Sequence, residues 1–216
     1  MNSLLGLRTS SEKSNNMPSS LVIKAFSTIS QINLIDLLRK EYDEEVESGN
    51  VEMPQELSDL KASILEDWRM VEDQANSTLF LKSKKVQVSF HCQDTVEELM
   101  YDDQEAEGDE EPILPIRFTV SSSKAGKSLV LDCLSELGQA RIVGVKITTL
   151  DADEDNAYQG PDFAELDEDL QDAYHSYLKE ELAVTSDIAV FIAMTSDYKE
   201  QMQYVQFLKD SQSIVS

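Results

Sequence analysis

The segment Ala125-Gly126-Lys127-Ser128 has the ending of a phosphate-binding P-loop. Such a loop needs a glycine five residues before its Gly-Lys-Ser, in a strand-to-helix turn whose N–H groups cradle phosphate. That earlier position is Ser121, and Leu129 to Cys133 reads as a strand. The segment is therefore expected to be a hairpin turn. His91, Cys92 and Cys133 are the next set of potential ligands. Neighbouring residues on a strand point to opposite faces, so His91 and Cys92 cannot share one ion, and both cysteines are expected to be buried packing residues. His175 has no second histidine a helical turn away and is expected to be solvated.

Carboxylates are abundant but arranged against catalysis. Acid–base pairs need two groups in different environments that separate their pKa values. Here the acids occur in crowds within polar sequence, the pattern of a solvated, self-repelling surface. Asp151, Asp153 and Asp155 have the alternation that begins an EF-hand, but the required sixth-position glycine is Asn156 and the glycine falls at Gly160. Asn76-Ser77-Thr78 is a glycosylation sequon, relevant only in the secretory pathway, and nothing in the sequence reads as a signal peptide. No catalytic, cofactor-binding or metal-binding residue is assigned.

The 216 residues carry 42 Asp or Glu and 18 Lys or Arg, a formal charge of −24, with 41% hydrophobic residues. That hydrophobic share can bury a core, and the length suits one domain or at most two. No run of about 18 apolar residues occurs, so no membrane span is expected. The charge repels phosphate backbones and anionic lipid; direct nucleic-acid binding is not expected, and basic proteins or cations are the favoured partners. Two cysteines are too few for a disulfide scaffold.

The elements that would position these groups follow from periodicity. Leu34, Leu38, Tyr42 and Val46 recur every four residues among acids, an amphipathic helix stopped at Gly49. Leu57, Leu60 and Ile64 form a shorter helical pattern after Pro54. From Met70 the period becomes two. Strands are expected at Met70–Val71, Leu79–Leu81 and Val86–Phe90, with Gln74 to Ser77 and Lys82 to Lys85 as turns. Three more are expected around Ile116–Val120, Leu129–Leu131 and Ile142–Ile147. Lys124 to Lys127 and Glu136 to Gln139 link them as hairpins, which makes the sheet antiparallel. A helix capped by Asp167 carries the stripe Leu166, Leu170, Ala173, Tyr174, Tyr177 and Leu178. Two further helices are signalled, one after Ser186 or Asp187 and one from Tyr198 through Leu208.

Charge is uneven along the chain. Residues 1–30 hold Arg8, Lys13 and Lys24 against Glu12 alone, with eight serines, a composition that fits a mitochondrial transit peptide or an ordinary disordered N-terminus. Residues 31–216 then hold 15 basic and 41 acidic side chains, a net of −26, and are read as one domain. Between Asp94 and Glu111 lie ten acids and no base, so 94–112 is expected to be a mobile acidic loop. Asp151 to Asp172 holds ten more acids without Lys or Arg.

This order of elements, with particular strings inside it, resembles the mitochondrial glycoprotein family, acidic matrix proteins that include the complement component-binding protein of animals. Ser128-Leu129-Val130-Leu131-Asp132-Cys133 is similar to the family's central strand. Tyr158-Gln159-Gly160-Pro161-Asp162-Phe163 followed by Leu166-Asp167 resembles the lead-in to its penultimate helix. Tyr177-Leu178, Phe191-Ile192 and the run from Lys199-Glu200-Gln201 through Tyr204-Val205 and Phe207-Leu208 complete the likeness, which spans Ile29 to the C-terminus. Two places depart from it. Where the family often has an Arg-Gly-Ile turn after the penultimate helix, this chain has Glu180-Glu181-Leu182-Ala183-Val184, and its tail Ser211-Gln212-Ser213 is polar.

The resemblance implies an α+β subunit: a twisted antiparallel sheet of six to seven strands, flanked by one N-terminal helix and two to three C-terminal helices, assembling as a ring-shaped homotrimer in the mitochondrial matrix. Three copies of 31–216 would carry −78. The function it implies is that of a non-enzymatic adaptor or chaperone for basic proteins, such as mitochondrial ribosomal proteins, supporting translation, ribosome assembly or oxidative phosphorylation. The partner-binding surface is expected at Asp102, Asp103, Glu105, Glu107, Asp109, Glu110, Glu111, Asp151, Asp153, Glu154, Asp155, Glu165, Glu168 and Asp169. Two other readings compete: an enzyme or small-ligand protein with a site at subunit boundaries, and a low-affinity divalent-cation buffer.

Overall fold

A computed structural model describes residues 33–49, 51–73, 77–96, 114–149 and 157–216. Two helices, α1 (Leu34–Glu47) and α2 (Gln55–Ile64), precede six strands: β1 (Arg69–Asp73), β2 (Thr78–Ser83), β3 (Val86–Thr95), β4 (Ile116–Lys124), β5 (Lys127–Glu136) and β6 (Gln139–Thr149). A 3₁₀ turn at Phe163–Glu165 leads into α3 (Glu168–Glu180) and α4 (Ser186–Val215). The strands lie in the sheet in chain order, each antiparallel to the next.

Two-residue turns close the β2–β3, β4–β5 and β5–β6 hairpins. Lys124 pairs with Lys127 across Ala125 (φ +53) and Gly126 (φ +78), so the P-loop-like string is a two-residue hairpin turn, as the sequence requires. Strand alternation then divides the sheet's faces. Leu81, Val88, Phe90, Phe118, Val120, Leu131 and Cys133 are buried on the side covered by α4, whose Ile188, Phe191, Ile192, Val205 and Leu208 are buried with them. Each of the Val, Leu, Ile and Phe side chains contributes about 1.5–3 kcal/mol through removal from water. The other face presents Phe80, Ser89, His91 and Thr119, half-buried, with Thr119 Oγ1 donating to Asp132 at 3.2 Å.

Several expectations need correction. Among the described residues two helices rather than one precede the sheet, the second being the short Leu57–Leu60–Ile64 pattern. The two helices expected after Ser186 are one continuous 30-residue helix. Its middle, Thr195-Ser196-Asp197, reads as a polar break, but Thr195 and Ser196 are buried and the backbone hydrogen bonding runs through them. Lys82 and Ser83 belong to β2 rather than to a turn, and Asp94 and Thr95 extend β3 rather than opening the acidic loop. Residues 97–112 of that loop lie outside the described residues, as do segment 1–30 and turn residues 74–76.

The two departures from the family strings have structural consequences. Ala183 takes the left-handed conformation, φ +56, at the end of α3. There Leu182 N donates to Tyr177 O at 3.1 Å and Val184 N to Leu178 O at 3.1 Å, so the residue that closes this helix is one with a Cβ penalty. The polar tail is used as well: Gln212 Nε2 donates to Leu38 O at 3.1 Å, tying the end of α4 to α1.

A candidate acidic interaction surface

The acids are segregated by element. Among the described residues, the four helices carry sixteen carboxylates against six Lys or Arg, whereas the six strands carry five against seven. Helices cover one face of the sheet, so this division puts the surplus negative charge on the helical side of the molecule. The sheet is, on formal charge, slightly basic.

Of the fourteen expected partner-binding residues, the structure describes three. Glu165 closes the 3₁₀ turn, and Glu168 and Asp169 open α3; all three are exposed. Local hydrogen bonding places them. Asp162 caps the turn by accepting from Ala164 N at 3.0 Å, and Asp167 caps α3 by accepting from Asp169 N at 3.1 Å. Glu168 and Asp169 thus stand at the positive end of the α3 dipole. The other eleven, Asp102, Asp103, Glu105, Glu107, Asp109, Glu110, Glu111, Asp151, Asp153, Glu154 and Asp155, lie outside the described residues.

Sequence reasoning left out the acids of α1. Asp36, Glu41, Asp43, Glu44, Glu45 and Glu47 share one 14-residue helix that packs along α4. Tyr204 donates to Glu41 at 3.1 Å and Gln201 to Glu45, so α4 holds two of these carboxylates in place, while Glu44 pairs with Lys40 at 3.0 Å. Loss of water contact and the Glu41 carboxylate both push the Tyr204 hydroxyl above its ordinary pKa. The run Glu41 to Glu47 was visible in the sequence as the polar face of an amphipathic helix; which helix would pack along its apolar stripe was not.

The other candidate groups are accounted for by structural contacts. Cys92 and Cys133 are free and buried, and burial raises both thiols. Cys92 Sγ lies 3.3 Å from Gln203 Oε1 of α4, while His91, on the same strand, is half-buried and accepts from Gln93 N at 3.1 Å. His175 is half-buried rather than solvated. Its Nδ1 lies 2.9 Å from Gln171 O and its ring meets Phe163 edge-on at 5.7 Å. Among the described residues no group of three or more His, Cys, Asp or Glu is arranged to hold a metal ion. A cavity of about 710 Å³ has Arg69, Lys82 and Lys84 together with Glu66, Asp67 and Asp187 on its walls.

The Tyr158–Phe163 string has a geometric purpose. Gly160, φ +91, crosses edge strand β6 so closely that a Cβ there would stand 1.8 Å from Val145 O. Asp162 bridges to Gly144, Lys146 Nζ donates to Gln159 Oε1 at 3.2 Å, and Phe163 is buried. The string thereby covers the exposed edge of β6.

The sequence profile of the mitochondrial glycoprotein family (MAM33) matches residues 38–215. The chain belongs to the mitochondrial glycoprotein family. Solved structures share its fold. One is a Leishmania major protein of unknown function described as a sequence homologue of human p32, with 20% identity and a TM-score of 0.64, covering 85% of this chain and 97% of its own. Another is the Trypanosoma brucei p22 protein, with 22% identity and a TM-score of 0.61 over the same shares. Family membership gives the chain a mitochondrial association, and among the described residues no helix is long and apolar enough to cross a membrane.

Proposed function

We propose that this mitochondrial glycoprotein family member is a non-enzymatic acidic adaptor or chaperone of the mitochondrial matrix that holds basic proteins through its helical face. The observation that carries the reading is the charge division itself, sixteen acids against six bases on the helices over a slightly basic sheet. Carboxylates held by Tyr204 and Gln201 form a fixed anionic array, and a fixed array attracts Lys- and Arg-rich clients without reorganising. Clients of this kind include ribosomal proteins before they meet RNA, which links the reading to mitochondrial translation, ribosome assembly or oxidative phosphorylation. The eleven acids of 102–111 and 151–155, outside the described residues, belong to the same proposed client-binding set by their charge alone.

The array acts as a homotrimer in this reading. Leu34, Leu37, Phe207 and Ile214 leave apolar surface exposed along α1 and the second half of α4, and a neighbouring copy covers it. Light scattering on the purified full chain is expected to give three copies per particle, and a monomer mass would refute this assembly.

The deciding experiment is retention of an unstructured Lys-rich peptide by the immobilised protein across a salt series. Binding falls steeply between low and physiological salt, where the screening length shrinks to about 8 Å. Replacing Glu41, Asp43, Glu44 and Glu47 by their amides weakens retention. Binding that ignores both salt and the amide variant refutes the proposal.

A further inference from the structure

A second cavity, of about 160 Å³, lies where α2, β1 and β2 meet α4. Its lining includes Met53, Leu57, Met70, Leu79, Phe191 and Met202, and the buried members Leu57, Leu79 and Phe191 come from three different elements. An apolar cavity of about 150 Å³ is large enough to take one benzene ring. Flexible methionine side chains adapt to the outline of such a guest.

Polar groups interrupt this lining. Thr195 lines the cavity, is 7% exposed, and its hydroxyl has no hydrogen-bond partner among the described residues. A buried hydroxyl left without a partner costs about 1–3 kcal/mol, which an oxygen on a ligand would offset. Lys61 and the Lys199–Glu72 ion pair also line the cavity. Lys61 is ion-paired to no described residue, so the cavity has two ammonium groups against one carboxylate, in a chain of net charge −24. The local surplus is one positive charge.

We propose that this cavity binds a small apolar monocarboxylate of benzene-like bulk, with its hydrocarbon among the methionines and its carboxylate on Lys61. One carboxylate matches the surplus charge. A second would face Glu72, and an amine would face Lys61. The site uses none of the acids assigned to client binding.

The test uses the full chain labelled with ¹³C at the methionine methyls, titrated with phenylacetate and, separately, with the uncharged benzyl alcohol. Phenylacetate produces saturable shifts at Met53, Met70 and Met202, each assigned by a single Met→Leu change, while Met194 stays still. Benzyl alcohol binds about fivefold more weakly, and Lys61→Gln reduces phenylacetate affinity about fivefold while leaving benzyl alcohol unchanged. Glutamine is nearly as good a helix former as lysine, so this variant keeps α2. Shifts that do not saturate, equal affinity for the two ligands, or indifference to Lys61→Gln would each overturn the proposal.

Discussion

Gly160 lies against the backbone of Val145 so closely that a methyl group on its Cα would come within 1.8 Å of the Val145 carbonyl oxygen. The obstacle is main chain at the sheet edge, which cannot turn aside as a side-chain tip would. Gly160→Ala therefore has to lift the covering segment off β6 as well as hold a non-glycine residue at φ +91. We expect it to lower stability by about 2–4 kcal/mol, read as a fall in the urea midpoint.

Ala183 presents the opposite case. It closes α3 at φ +56, where glycine carries no Cβ penalty. Ala183→Gly removes about 1–2 kcal/mol of strain and gives back part of it through greater freedom of the unfolded chain. The net expectation is a gain of about 0.5–1 kcal/mol, seen as a higher urea midpoint at unchanged slope.

Ser196 sits in the middle of α4, fully buried, with a hydroxyl that finds no partner among the described residues. Ser196→Ala removes the unsatisfied group and improves helix propensity. A stabilisation of about 1–2 kcal/mol is expected in thermal or urea unfolding. A loss of stability would mean that the hydroxyl is bonded in solution.

The thiols set a pH dependence. Burial raises Cys92 and Cys133 above the ordinary 9.0, so the folded chain keeps both protonated while the unfolded chain releases both protons. The unfolded state then binds fewer protons than the folded one above pH 9, and stability falls as pH rises. The contribution is fully present below pH 9 and is lost progressively above it. Urea midpoints at pH 7.5, 9 and 10 measure this, and a thiol reagent at pH 8 should modify both cysteines only after unfolding.

The sequence made the local features legible wherever a short-range rule governs them. The four-residue stripe of α1, the turn at Ala125-Gly126 and the Asp167 cap all depend on neighbours within a few positions, and all lie where those rules place them. The continuity of α4 was hidden because its two halves follow different patterns. Ile188, Ala189, Phe191 and Ile192 are buried close together, while Val205 and Leu208 lie on a single stripe, and the buried Thr195 and Ser196 between them look like a junction. His175 was misread for a similar reason: Phe163, its ring partner, is brought to it by the 3₁₀ turn. Of the candidate surface, the number of acids could be counted along the chain, but their gathering on the helical side depends on α1 meeting α4, a pairing between opposite ends of the sequence.

That pairing has a consequence for how the chain matures. Each hairpin of the sheet can close as soon as its own two strands exist, since the meander joins only successive strands. The first helix must wait: Glu41 meets Tyr204 across 163 positions and Leu38 meets Gln212 across 174. During vectorial synthesis or passage through a translocation pore, α1 is the earliest described helix to emerge and the last to dock. Leu38 and Tyr42, half-buried in the folded chain, stay uncovered until the final thirty residues arrive, which makes that interval the one in which the nascent chain most needs a guardian of its own.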